Sequence, residues 1–419
     1  MKIIEKIIND KNACWNYSAT AFFMLTNLLL MFLINNFASL EIFGLVTLLY
    51  ATSGMLLNII SFRSGESLTK FLIKYDGNDS SIVMISFITD FVSVFLILCL
   101  VYFFLDDIND AFFQNQDVRD LIVIVVLSVC FKLASGSVIG RYTSINDFVT
   151  ISKLKLVEPT IKIITILFII IFYELSLKSI IYTYFISSIA SFSIHWICYF
   201  IHGFRLSFNG VTSSLLKNYL TFNFKTFISI SVKSFTENAD VIIMGIFLDK
   251  WIIGSYQSLK LITQPIKFII NPFSAMRYPL YIKKILEGNM KSVSKDVITC
   301  SSVFFIITIL YSIPLLTLKD IILTWLGMPV KHEVIVLLFY LLALTLGFCA
   351  FDWWFRSVSL ATNPMFSIYS NLIGLILIWC GGYLSLKYYD ISMFCFVLGL
   401  VPFVKGLYHI YVVRYLIRK

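Results

Sequence analysis

The sequence predicts an all-α polytopic membrane protein with about twelve transmembrane helices in two six-helix lobes, and three observations predict it. The 419 residues are 59% hydrophobic and only 14% charged, a balance foreign to soluble domains of this size. The apolar residues come in runs of about 20, the length of helix that crosses a bilayer. The aromatic content is 16%, as expected where Phe faces lipid and Tyr and Trp sit at the interfaces.

In order, the runs bounded by charged or turn residues are 15–37, 42–62, 81–105, 120–141, 156–173, 179–202, 221–248, 252–274, 297–317, 334–355, 364–386 and 391–413. Only ASLE separates the first two, which predicts a helical hairpin. Before them, MKIIEKIINDKN is polar and amphipathic, so no cleavable signal peptide is expected. Six runs fall in 1–210 and six in 211–419, the two expected lobes.

Loop charge sets the orientation. With the N-terminus in the cytoplasm, the inside segments hold 20 Lys and Arg residues. The outside segments hold 6: Arg119, Lys178, Lys250, Lys319, Lys331 and Lys387. Cytoplasmic loops carry the excess of basic residues, so both termini are expected inside and the acidic loop Asp106 to Asp120 outside. The same rule accounts for the net charge of +9, and no basic stripe on a soluble segment calls for a nucleic-acid partner. The eight cysteines are scattered singly, with no CxxC or Cys/His cluster, which supports neither a disulfide framework nor a metal site. The outside loops are short, whereas an enzyme acting on saccharide at the outer face needs a folded loop to hold its substrate.

The halves echo one another. Ser39 to Phe62 aligns with Phe247 to Phe273 at an offset of 210, which brings Gly44 onto Gly254. Half the chain length with six runs per half is the layout of a two-lobed transporter.

Charges inside the runs mark the functional candidates, because a charge in hydrocarbon normally faces a bundle interior or a water-filled cavity. Lys233, Glu237 and Asp240 fall on one face of run 7, at spacings of four and three. Lys260, Gln264, Lys267, Asn271 and Ser274 form a polar stripe along run 8. One reading of these two faces is an internal salt-bridge network, such as Asp240 with Lys260; the other is a cationic lining for an anionic substrate. In the first half, Asp90 lies near the middle of run 3 with Ser86 and Ser93 on its face. Lys132 lies in run 4, and Glu158 with Lys162 forms an i,i+4 pair on run 5. Asp90 is read either as the partner of Lys132 or as a protonation or cation site. Lys225 and Lys405 are expected to snorkel to an interface. The four histidines lie singly and are read as ordinary interfacial residues. Run 1 carries Asn16, Thr20 and Asn27 on one face, and Arg63 closes run 2.

The stretch from Asn218 to Asn289 resembles helices seven and eight of Wzx-type O-antigen and polysaccharide flippases. The likeness rests on Asp240, Gly245, Gly254-Ser-Tyr256, Tyr278-Pro279 and Glu287-Gly288-Asn289, with Glu41-Ile-Phe-Gly44 echoing it in the first half and TWLG at Thr324 to Gly327. That family belongs to the multidrug/oligosaccharidyl-lipid/polysaccharide (MOP) exporter superfamily, whose members are similar in having two six-helix lobes around a central cavity and in working by alternating access. The resemblance implies a substrate of undecaprenyl-diphosphate-linked oligosaccharide, an O-antigen or capsule unit used in lipopolysaccharide or capsule assembly. It is moved from the inner to the outer leaflet of the bacterial cytoplasmic (inner) membrane. The lipid II flippases carry arginines in their first two helices and usually have fourteen spans; this chain has only Arg63 there.

The residues then divide by role. Lys132, Lys162, Lys233, Lys260, Lys267 and Arg63 are the candidate cavity cations for the diphosphate. Asp90, Glu237 and Asp240 are candidates for ion coupling, and Asn16, Asn27, Gln264 and Asn271 for sugar contact. No P-loop is present, so energy is expected from an H+ or Na+ gradient or from product consumption, and no cofactor is expected. Partners are the lipid-linked oligosaccharide, membrane lipids and, in its pathway, a polysaccharide polymerase and a chain-length regulator. The rivals are a MATE-like small-molecule antiporter, for which an acidic cavity would suit cationic drugs better, and a membrane polymerase or acyltransferase.

Overall fold

Ordinary capping groups set where the helices of this chain begin, and the apolar runs between those caps become the bundle. The computed structural model describes residues 11–62, 64–74, 79–113, 117–145, 147–237, 239–263, 265–362 and 365–418. Arg63, Gln264 and the side chains of Lys233 and Glu237 lie outside the described residues.

The first half contains α1 (Lys11–Phe37), α2 (Leu40–Ile60), the short α3 (Ser64–Lys74), α4 (Asp79–Phe113), α5 (Arg119–Ala134), α6 (Gly136–Ser144), α7 (Phe148–Phe172) and α8 (Leu177–Ile201). Ser39 starts α2 by accepting from the Ile42 N–H at 3.1 Å. Asp147 starts α7 by accepting from the Thr150 N–H at 3.0 Å, and Ser176 with Ser179 forms a reciprocal box at the start of α8. Each cap satisfies N–H groups that a helix cannot pair within itself.

The second half contains α9 (Ser213–Glu237), α10 (Ala239–Phe247), α11 (Lys250–Thr263), α12 (Pro265–Leu286), α13 (Met290–Thr317), α14 (Lys319–Trp325) and α15 (His332–Gly347). A π-helical turn, Phe348–Asp352, then leads to α16 (Phe355–Ala361) and α17 (Met365–Ile376). A second such turn, Leu377–Gly382, leads to α18 (Tyr383–Tyr388) and α19 (Ile391–Arg418). In the first π turn the Trp353 N–H reaches back five residues to the Phe348 carbonyl, at 3.2 Å. Among the described residues there is no strand.

Nine described stretches are long and apolar enough to cross a membrane: Cys14–Phe37, Leu40–Asn58, Asp79–Phe113, Arg119–Ser144, Leu177–Ile201, Met290–Thr317, His332–Ser359, Met365–Tyr388 and Ile391–Ile417. The remaining three of the twelve expected runs correspond to α7, α9–α10 and α11–α12, the helices that carry charges. Run 8 is not described as one continuous helix. It is described in two stretches, α11 and α12, on either side of Gln264.

The described chain groups into two compact units. One comprises Met1–Leu30 and Leu48–Ser234, the other Met31–Thr47 and Phe235–Lys419. The first unit buries Leu68, Phe71, Ile82, Tyr142, Trp196, Tyr199 and Tyr219 around α3 and α6. The second buries Ile270, Tyr281, Val293, Trp353, Trp354 and Phe355 around the first π turn. Outward surfaces are apolar instead of polar: Phe103 is 75% exposed and Ile171 71%, as expected of a lipid-facing helix.

The tip of the α1–α2 hairpin groups with the second unit because two glycines permit it. A Cβ on Gly44 would collide with the Lys250 carbonyl and lie 2.9 Å from the Gly254 nitrogen. A Cβ on Gly254 would collide with the Leu40 carbonyl and lie 3.1 Å from the Gly44 nitrogen. The two positions that the internal repeat aligns therefore meet, backbone against backbone. Asn35 adds a polar tie beside them, its amide donating to Ser258 Oγ at 2.9 Å and to the Leu326 carbonyl at 3.3 Å.

Candidate functional site

Two charged clusters stand out, one in each unit. In the first, Glu158 and Lys162 lie one turn apart on α7, as their spacing predicts, with Lys162 Nζ 2.5 Å from Glu158 Oε1. Lys132, in the last turn of α5, reaches the same oxygen at 2.6 Å. Two ammonium groups thus share one carboxylate and leave one positive charge over. Aromatic faces cover the excess: Lys162 Nζ lies 4.3 Å from the Tyr184 ring centroid and Lys132 Nζ 6.0 Å from that of Tyr50. The two tyrosine rings meet at 5.3 Å. Pro159 follows Glu158 directly and lacks the N–H that would pair with the Lys155 carbonyl, which loosens α7 at the cluster.

This corrects the pairing considered for Asp90. Lys132 goes to Glu158, and Asp90 is held differently. Its Oδ2 accepts from Ser137 Oγ at 2.7 Å, and Ser137 in turn meets Ser86 Oγ at 2.9 Å. Asp90 is 1% exposed, and Ser137 belongs to the first turn of α6, where the helix dipole favours a negative group.

In the second unit, Asp240 and Lys260 form the pair considered from the sequence, at 3.2 Å. Asp240, on α10, is well supplied with donors: the Val241 N–H at 2.8 Å and the buried Tyr256 hydroxyl also bond to it. One cation meets one carboxylate here. Lys267 is half-buried on α12, makes no ion pair among the described residues, and lies 5.4 Å from the Phe348 ring centroid. Asn16 and Asn27 on α1 are half-buried, and Asn271 on α12 is exposed.

A third cluster escaped the sequence reading. Lys405, expected to snorkel, instead pairs with Asp352 at 3.3 Å, and His409 is not interfacial but 1% exposed, with Nδ1 3.6 Å from the same carboxylate oxygen. Lys405 and His409 share a helix face at i,i+4. That spacing was visible, but the partner, 53 residues earlier in the first π turn, was not. His195 is likewise buried, bonded through Nδ1 to the Ser191 carbonyl at 2.6 Å. Among the described residues no His, Cys, Asp and Glu group is arranged to hold a metal ion.

Fold and charge layout together define a multi-pass helical membrane protein built as a transporter is built. Among solved structures the chain is similar to a multidrug resistance MATE family transporter of the MOP superfamily in an inward-facing conformation. The two share 10% identity and a TM-score of 0.74, over 96% of this chain and 95% of that one. It is also similar to the lipid II flippase MurJ in an inward closed conformation, with 17% identity and a TM-score of 0.74, over 95% of this chain and 87% of that one. No curated protein matches it. Residues 10–285 match the polysaccharide biosynthesis protein family, and the chain belongs to that family.

Proposed function

We propose that this chain is a flippase that moves an undecaprenyl-diphosphate-linked oligosaccharide, an O-antigen or capsule repeat unit, from the inner to the outer leaflet of the bacterial cytoplasmic membrane. It works by alternating access, with both termini in the cytoplasm, and draws on an ion gradient. The observation that carries this reading is the surplus of cation in the first unit: Lys132 and Lys162 share the single carboxylate of Glu158. A diphosphate that leaves water must exchange its hydration for fixed positive charge, and an ammonium group supplies this without the rigid fork of a guanidinium. The tail of the substrate stays in lipid, and Asn16 and Asn27 of α1, in the same unit as this cluster, are available to the sugars.

Membership in the polysaccharide biosynthesis family supports a saccharide cargo, and the MurJ-like fold is compatible with a lipid-linked one. A cationic drug, by contrast, would be repelled by the surplus.

The test is flipping of a fluorescent undecaprenyl-diphosphate oligosaccharide in proteoliposomes. Lys162→Ala should slow it by about tenfold or more, equivalent to about 1.4 kcal/mol, and Lys162→Arg should recover part of the loss. Equal rates for Lys162→Ala and wild type, in protein that inserts normally, would remove the cluster from substrate binding.

A further inference from the structure

The cluster of Asp352, Lys405 and His409 has no part in the reading above, yet it holds a histidine that is only 1% exposed. It is built where α19 crosses the first π turn. Gly406 makes the crossing close: a Cβ there would lie 2.6 Å from the Phe351 ring. The approach carries Lys405 and His409 onto Asp352. His409 Nδ1 is 3.0 Å from the Phe351 carbonyl, and its Nε2 is 2.7 Å from Ser370 Oγ on α17.

The hydrogen bonds assign the proton. A carbonyl only accepts, so Nδ1 carries hydrogen and donates to Phe351; Nε2 is then the free lone pair and accepts from the Ser370 hydroxyl. In this state the cluster is neutral, with Asp352 balanced by Lys405. A proton taken up by the imidazole binds at Nε2. The Ser370 hydroxyl then turns to accept from it, its own hydrogen free to move to a carbonyl of the preceding turn of α17. The imidazolium lies beside Asp352 and flat on Phe355, whose ring centroid is 3.5 Å away at an interplanar angle of 12°, with Trp354 edge-on at 5.9 Å. Burial works against an imidazolium, and the carboxylate and aromatic faces offset part of that cost. The ionised groups acting on His409 are Asp352 from the π turn and Lys405 from its own helix, and Lys267 of α12 is a further cation within electrostatic range of Asp352.

We propose that His409, Asp352 and Lys405 form a proton-binding site in which uptake of one proton at His409 Nε2 turns a neutral cluster into a singly positive one. With two cations on one carboxylate, Lys405 is released to attract an anion, and the charge pattern of the second unit becomes that of the Lys132–Glu158–Lys162 cluster. Proton binding and anion attraction are thus linked through one side chain, at the π turn that breaks the helix between α15 and α16.

The test uses proteoliposomes without any lipid-linked substrate, so it stands apart from the cargo. A step to acid pH on a supported membrane should give a transient proton-uptake current. His409→Gln should reduce the current about tenfold, and His202→Gln should leave it unchanged. A full current in His409→Gln would overturn the proposal. Should that variant fail to insert, Asp352→Asn gives a second reading: it removes the charge that balances the imidazolium, so about tenfold more acid should be needed for the same current. An unchanged acid requirement would also overturn it. An independent signature is fluorescence, because an imidazolium quenches an adjacent indole. Acid quenching in wild type should be lost in Trp354→Phe, and quenching that persists there in full would place the protonated group elsewhere. Loss of flipping with an intact proton current would count against the cargo alone.

Discussion

Glu158 and Asp240 both pair with lysine inside their helix bundles, and they leave different charge behind. Glu158 takes two ammonium groups on one oxygen, whereas Asp240 takes one ammonium, a tyrosine hydroxyl and a backbone N–H. The first cluster therefore keeps a surplus cation, and the second is balanced and saturated. Counting lysines along the chain would treat Lys162 and Lys260 alike. Their surroundings make the first an anion-seeking group and the second chiefly a tie between α10 and α11. A buried ion pair does not by itself stabilise a fold, because desolvation offsets attraction, but breaking one strands a charge.

The largest expected effect follows from that asymmetry. Asp240→Ala should destabilise the protein by about 3 to 5 kcal/mol, since it leaves Lys260 uncompensated and removes the acceptor of the buried Tyr256 hydroxyl. Thermal unfolding in detergent reads it, and an unchanged melting temperature would mean that the pair is not structural.

Glu158→Gln sharpens the contrast from the other side. It should cost about 1 to 3 kcal/mol by leaving two ammonium groups facing each other without an anion. Inorganic pyrophosphate should stabilise this variant more than wild type, because a bound anion adds its binding free energy to the folded state. The same anion should do nothing for Asp240→Asn if Lys260 serves only as a tie. Equal pyrophosphate shifts in all three proteins would erase the distinction drawn between the clusters.

The smallest effect tests how α7 holds its two charges in place. Asp147 caps α7, and Asp147→Ala should cost about 1 kcal/mol. Partial burial would raise the Asp147 carboxyl, but the hydrogen bonds from the Thr150 hydroxyl and N–H outweigh it and hold the carboxyl below its usual range. A lowered folded value means that the cap stabilises fully above the ordinary carboxylate value of about 3.9 and is lost as the pH falls through the lower folded value. The stability difference between Asp147→Ala and wild type should accordingly be constant near neutrality and shrink only in strong acid. A difference that already closes between neutral pH and the carboxylate range would contradict this assignment.

Membrane embedding was legible in the sequence because it depends on composition and run length, which are local properties. So was the Glu158–Lys162 pair: an i,i+4 spacing on a helix brings two side chains together whatever the helix packs against. The Gly44–Gly254 relation was visible as a repeat, though not as a contact. Arg63, Gln264 and the side chains of Lys233 and Glu237, part of the same sequence reading, fall outside the described residues.

What the sequence by itself determined, then, was a chain of apolar helices, the approximate ends of those helices, and which helices carry charge. Tertiary structure alone decided which charges meet. Lys132 of α5 found Glu158 of α7, two helices that each pack against α8, and not Asp90, while Lys405 and His409 found Asp352 where a π turn and Gly406 let α19 come close. The physical reason is range. Helix formation and hydrophobicity are settled within a few residues, whereas the charge left over in a buried cluster depends on every ion that packing brings to the same few ångströms.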